Sequence, residues 1–114
     1  MSVDAQLIEQ RREQRMTALR KANEKRTKIA QLKRLIGNLE VDPIDVLNQR
    51  EHPWYDVAGS MQVQDFLFCI RGFGRKTVAE VLGEFALSGK TTIERLSMQR
   101  RAELIHLIKI LLAK

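Results

Sequence analysis

The hydrophobic positions of this chain fall into two regimes. From Asp4 to Ile36 neither proline nor glycine occurs, and the strong helix formers Gln, Arg, Glu, Ala, Leu and Lys dominate. This stretch predicts one long helix of roughly 50 Å. Gly37-Asn38 supplies its stop, with Lys33 and Arg34 in the last turn, where cations suit the helix dipole. The faces of this helix are uneven. Ile29, Leu32, Leu35 and Ile36 form an apolar stripe, whereas the larger apolar residues between positions 9 and 28 are only Met16 and Leu19. The C-terminal turns are therefore expected to dock on a core, and the N-terminal half to project as a charged arm.

Beyond residue 38 the apolar positions come in short clusters separated by turn signals. Asp42-Pro43 reads as an N-cap followed by proline at the first helical position, opening a short helix to about Gln49 with Ile44, Val46 and Leu47 inward. Residues 50–59 break the pattern and are predicted to be a loop anchored by Trp54 and Tyr55. Ser60 is expected to cap a helix reaching about Cys69 and carrying Met61, Phe66, Leu67 and Ile70. Arg71-Gly72-Phe73-Gly74 forms a tight turn, followed by a helix from about Arg75 to Phe85 that turns Val78, Val81, Leu82 and Phe85 inward. A loop around Ser88-Gly89-Lys90 leads to a turn near Thr91–Leu96. Ser97 then caps a terminal helix, Met98 to Ala113, whose apolar residues are Leu104, Ile105, Leu107, Ile108, Leu111 and Leu112. The sum is an all-α chain: residues 1–37 as a long basic helix, residues 38–114 as a compact bundle of short helices.

Composition sharpens this reading. Aromatic residues make up 5% of the chain, too few for a sheet protein and few for stacking on unpaired bases. The lone Cys69 sits in the run Phe66-Leu67-Phe68-Cys69-Ile70, where it reads as a small buried hydrophobe in a reducing compartment. With no leader-like apolar segment and no run long enough to span a bilayer, the chain is expected to be soluble and cytoplasmic. The formal charge of +6 calls for a polyanionic partner without choosing among DNA, RNA and acidic membrane. Its distribution says more. Residues 1–40 carry ten Lys/Arg against five Asp/Glu, residues 41–70 one against five, and residues 71–114 nine against four. Two basic blocks thus flank an acidic insert.

The chemistry concentrates in Ile70-Arg71-Gly72-Phe73-Gly74-Arg75-Lys76-Thr77-Val78. Glycines let a chain turn tightly and let its backbone approach another surface without an intervening Cβ. The turn opens onto a helix N-terminus, whose free N–H groups and partial positive charge suit an anion. Arg71, Arg75 and Lys76 add full charges there, Thr77 offers a hydroxyl, and Phe73 would plug back into the core. The same glycines also suit a plain helix–helix turn. A dinucleotide-binding reading fails, because the third glycine of the motif is absent and no strand precedes the turn.

The second basic element is the arm, with Arg20, Lys25, Arg26, Lys28, Lys33 and Arg34 as candidate backbone contacts. Glu9, Glu13 and Glu24 are placed for i,i+4 pairs with neighbouring bases. The third group, Lys90, Arg95, Arg100 and Arg101, fits a plain surface as well as a contact. His52 and His106 are isolated, and no carboxylate pair, nucleophile–base set or metal spacing emerges. Neither an enzyme nor a cofactor is expected.

The run Glu13-Gln14-Arg15-Met16-Thr17-Ala18-Leu19-Arg20-Lys21-Ala22, then Lys25–Lys33, Val46-Leu47, Phe66-Leu67 and Ile70–Lys76 resembles the actinobacterial integration host factor family over residues 13–108. The resemblance implies a long N-terminal helix on a helix-two-turn-helix body, related to helix-hairpin-helix architectures. It implies nucleoid-associated binding of double-stranded DNA with little sequence preference, and an integrase or other DNA-processing protein as a further partner. It also implies phosphate contacts from Gly72, Gly74, Arg75 and Lys76. Where the family has an arginine-rich stretch, this chain reads Lys90-Thr91-Thr92-Ile93-Glu94-Arg95, the kind of departure a divergent or phage-borne member would show. Two other readings stay open: a protein-interaction factor using the arm and the Trp54–Tyr55 loop, and RNA binding.

Overall fold

The computed structural model describes residues 2–85 and 90–113, with side chains from residue 5 onward. The first helix, α1, spans Ser2–Gly37, and the residues that follow pack as α2 (Pro43–Asn48), α3 (Tyr55–Gly59), α4 (Val63–Cys69), α5 (Arg75–Glu84), a 3-10 turn (Ile93–Arg95) and α6 (Met98–Leu112). The chain is all-α, with no β-strand among the described residues, and measures 68 × 30 × 27 Å. The long axis follows from α1. Residues 5–28 are exposed throughout, while Leu32 and Ile36 are buried and Ile29 and Leu35 half-buried. Only the last turns of the helix dock on the body, against α3 and α4.

The arm differs from expectation in one respect. Among the described residues the only ion pair within 4 Å is Arg100–Glu103 at 3.7 Å, so Glu9, Glu13 and Glu24 do not pair with neighbouring bases. Long exposed side chains lose about as much rotamer freedom on pairing as the contact returns in water. The positive excess of the arm is therefore not neutralised by ion pairs within the helix.

The end of α1 also falls differently from the predicted Gly37-Asn38 stop. Gly37 is still helical, and Leu39 takes the left-handed conformation at φ 63°. Two backbone bonds close a Schellman motif around it: the Leu39 N–H donates to the Ile36 carbonyl (3.1 Å) and the Glu40 N–H to the Leu35 carbonyl (2.9 Å). A leucine pays a steric cost there that glycine avoids. Leu39 is 68% exposed and gives little burial in return. Leu39→Gly should therefore stabilise the chain by about 0.5–1 kcal/mol, raising Tm by roughly 2–4 °C. Thermal melting followed at 222 nm checks this, and a lowered Tm would contradict it.

The Asp42-Pro43 signal forms as expected: an Asp42 carboxylate oxygen accepts from the Ile44 N–H at 2.8 Å, and α2 buries Pro43, Val46 and Leu47. The predicted loop at 50–59 is half wrong, because residues 55–59 are helical. No capping side chain opens α3. The Trp54 N–H instead donates to His52 Nδ1 at 3.1 Å, and α3 is held by what it touches, with Ala58 and Gly59 buried. Ser60 does not cap the next helix either. Its hydroxyl donates to the Val57 carbonyl at 2.8 Å, closing α3, and α4 starts only at Val63.

The intervening residues are extended for a reason local patterns do not carry. Gln62 and Thr92 form an antiparallel bridge: the Val63 N–H donates to the Thr91 carbonyl (2.8 Å) and the Ile93 N–H to the Met61 carbonyl (3.0 Å). This strap ties the start of α4 to the segment before α6. Ser97 caps α6 as predicted, accepting from the Arg100 N–H at 3.2 Å. Its next two arginines then fasten the body. Arg100 donates to the Phe85 carbonyl and stacks over that ring, while Arg101 donates to the Tyr55 hydroxyl and, at 3.2 Å, to the Ile93 carbonyl. Leu104, Ile105 and Ile108 are buried, but Leu112, expected in the stripe, is exposed. Phe66, Leu67, Met61, Leu47 and Ile93 complete the core, which places α4 at its centre.

Candidate nucleic-acid interface

The bend between α4 and α5 is built by its two glycines in different ways. Gly72 has φ +92°, a conformation side-chain-bearing residues rarely adopt, so the turn itself demands glycine there. Gly74 has φ −92°, open to any residue, and a Cβ built on it would meet nothing within 4 Å. Its missing side chain is therefore not required by the fold. Between them Phe73 is buried, 8% exposed, and its N–H donates to the Ile70 carbonyl at 3.1 Å, locking the bend to the core.

The N-terminus of α5 is open. Gly74 occupies the N-cap position with no side chain to offer, and the helical ladder starts with the Val78 N–H on the Gly74 carbonyl at 3.0 Å. The N–H groups of Arg75, Lys76 and Thr77 precede that bond, and among the described residues no side chain or loop carbonyl accepts from them. Arg71, Gly72, Gly74, Arg75 and Lys76 are exposed and Thr77 is half-buried. Arg71, Arg75 and Lys76 make no ion pair among the described residues. The resulting site presents bare amides, the positive end of a ten-residue helix and three full cations to solvent. That arrangement recognises an oxyanion of high charge.

Of the predicted arm contacts, Lys33 is the one placed beside the end of α4. It is half-buried and close enough to Cys69, the last residue of α4, to act on its thiol. Burial pushes that thiol up to about 11 and Lys33 draws it partly back, while the Sγ donates to the Phe66 carbonyl at 2.9 Å. Cys69 is thus a protonated, packed thiol. Arg71 lies over the junction of α1 and α2, lining a shallow hollow with Ile36, Leu39 and Pro43.

The other predicted arm residues are not brought to the bend. From Lys33 back to Arg20 the helix rises about 20 Å. Lys25 and Lys28 line a groove against α3 with Asp56 and Ser60, so part of their charge faces the acidic insert of the same chain. Arg20 shares an adjoining surface of α1 with Met16, Leu19 and Lys28, and Arg26 and Arg34 are exposed. Lys90 precedes the strap at the N-terminal end of α4, the length of that helix from the bend. Arg100 and Arg101, open to a contact reading from the sequence, are committed to Phe85, Tyr55 and Ile93 inside the protein. A signal for the latter existed only across the fold: Tyr55 and Arg101 are 46 positions apart.

Among the described residues no helix is long and apolar enough to cross a membrane, and no three His, Cys, Asp or Glu side chains are grouped to hold a metal ion. Comparison with protein-family models and with curated proteins gives no match. Among solved structures, the chain is similar to one described as "Structure of sIHF bound to an 8bp palindromic DNA", with a TM-score of 0.64 at 22% sequence identity, covering 77% of this chain and 97% of that one. At that level of identity the likeness is one of fold: this chain has an integration-host-factor-like, all-α architecture.

Proposed function

We propose that the chain is a non-catalytic, architectural protein of the nucleoid that binds duplex DNA through its phosphates with little regard to sequence. The observation that carries this reading is the exposed bend at residues 71–77, where first-turn amides with no acceptor among the described residues and three exposed cations share one short segment. Phosphate oxygens are the ligands such a site takes best. The similarity of the fold to a protein solved on DNA supports the same conclusion. In this reading residues 38–114 are a helix-two-turn-helix body, with Arg71, Gly72, Gly74, Arg75, Lys76 and Thr77 on the backbone. Residues 1–37 are a basic arm whose Arg20, Lys25, Arg26, Lys28, Lys33 and Arg34 add contacts along the duplex, with Lys90 at the margin.

The test is affinity for two duplexes of unrelated sequence across a salt series. Binding carried by six to ten phosphate contacts falls by roughly 10³–10⁵ between 50 and 200 mM salt, and falls alike for both duplexes. A salt-independent affinity, or one confined to a single sequence, would defeat the proposal.

Gly74 separates binding from folding. In Gly74→Ser the new hydroxyl accepts from the first-turn amides as an N-cap, which leaves stability unchanged or improves it by a few tenths of about 1 kcal/mol. Those amides are then no longer offered to a phosphate, and duplex affinity should fall about tenfold. Titration by fluorescence anisotropy alongside thermal melting reads both. A stable variant that binds as tightly as the parent would show the amides to be bystanders.

A further inference from the structure

Two surfaces that DNA binding leaves unused complement each other. The first is a groove of about 540 Å³ between α5 and α6, floored by Val81, Leu107 and Leu111 and edged by Glu80 and Glu84. The two glutamates are exposed, stand four residues apart on one helix, and have no ion-pair partner among the described residues. The second lies on the free half of α1. Ile8 and Leu19, 66% and 56% exposed, lie on one stripe with Arg11 and Arg15 between them, which are also four residues apart. One surface is apolar with an acidic rim, the other apolar with a basic centre, at the same helical spacing.

We propose that the groove between α5 and α6 receives the arm of a second copy of this chain, residues 8–19, with Arg11 and Arg15 on Glu80 and Glu84 and with Ile8 and Leu19 flanking Leu107 and Leu111 at either end. The arm of the same chain cannot fill it, because α1 is continuous from Ser2 to Gly37 and carries its free half away from the body. Arm-on-arm pairing is opposed by charge: residues 5–28 hold eight Lys/Arg against three Asp/Glu, so two arms repel, whereas an arm and this groove attract. The contact joins unlike surfaces, so it does not close into a two-fold dimer. It repeats head to tail, each protomer offering an arm to one neighbour and a groove to another. Glu80 and Glu84 lie beyond the first turn of α5, so Arg75 and Lys76 stay uncovered. About three helical turns of arm bury less than a standard interface, which makes each contact a weak one.

The inference does not rest on DNA binding, and its test contains no DNA. Sedimentation velocity of the full chain from 10 µM to 1 mM at low salt should show mass rising continuously above the 13.2 kDa protomer. Arg11→Glu/Arg15→Glu and Glu80→Arg/Glu84→Arg should each remain monomeric over that range, with unchanged helicity since all four positions are exposed. Mixed one to one, the first variant supplies an intact groove and the second an intact arm. They should assemble as the parent does, because the acidic arm of the first variant also complements the basic groove of the second. A parent that stays monomeric at 1 mM overturns the proposal. So does a groove variant that assembles like the parent, which would mean arm-on-arm pairing, or a mixture that stays monomeric.

Discussion

Arg75→Glu/Lys76→Glu should lose duplex affinity by roughly 10²–10⁴-fold while becoming slightly more stable. Hydrogen bonds to charged groups contribute about 1.5–3 kcal/mol each, and both side chains stand beside the open amides of α5 without an internal partner among the described residues. Reversal also places two negative charges where the phosphate must come. Losing the two contacts should lower the slope of log affinity against log salt by about 2, and equally for unrelated duplexes. The stability effect has the opposite sign for a physical reason. The first turn of α5 has no acidic residue, and Glu at its N-terminus interacts favourably with the helix dipole, by about 0.3–1 kcal/mol per residue. Both positions are exposed, so no packing is disturbed. Mobility shift and thermal melting on one preparation give both readouts. Unchanged affinity would remove the bend from the binding surface, and a large loss of stability would make the binding result uninterpretable as a contact.

How much of this was legible in the sequence depends on how local each determinant is. The long helix, the Asp42 and Ser97 caps and the glycine bend were readable because each is set within about four residues. The bend was legible as local geometry too: its glycines, cations and following helix are contiguous, and its glycines and cations are exposed. α3 was missed because nothing local builds it. It has no capping side chain and only five residues, and it depends on Arg101 gripping Tyr55 and on burial of Ala58 and Gly59. The strap at 61–63 and 91–93 was missed for the same reason, since its partners are 30 positions apart. The arm failed differently. Basic residues run all round α1, so the pattern cannot say which of them face the body, and only the fold separates Lys33 near the bend from Lys25 and Lys28 over α3.

Phe66 links that fold to the bend, and its removal should have the largest effect on stability. Its side chain is fully buried, on the helix that delivers Ile70 and Phe73 into the turn. Truncating a buried Phe to Ala costs about 3–5 kcal/mol, from lost transfer energy plus the cavity left behind. A domain of this size is stable by only about 5–15 kcal/mol, so Phe66→Ala should lower Tm by roughly 15–25 °C. Phe68, two residues along and 46% exposed, is the control with the same chemistry. Phe68→Ala should cost under about 1 kcal/mol, because the ring already meets water. If the bend is preformed by the core, Phe66→Ala at a temperature where it remains folded should still bind DNA, and lose binding along its own unfolding curve. Denaturant unfolding of the two variants, with anisotropy recorded along the melt, distinguishes these cases. Equal stability of the two variants would mean that α4 is not the centre of the core, and that the bend takes its shape from elsewhere.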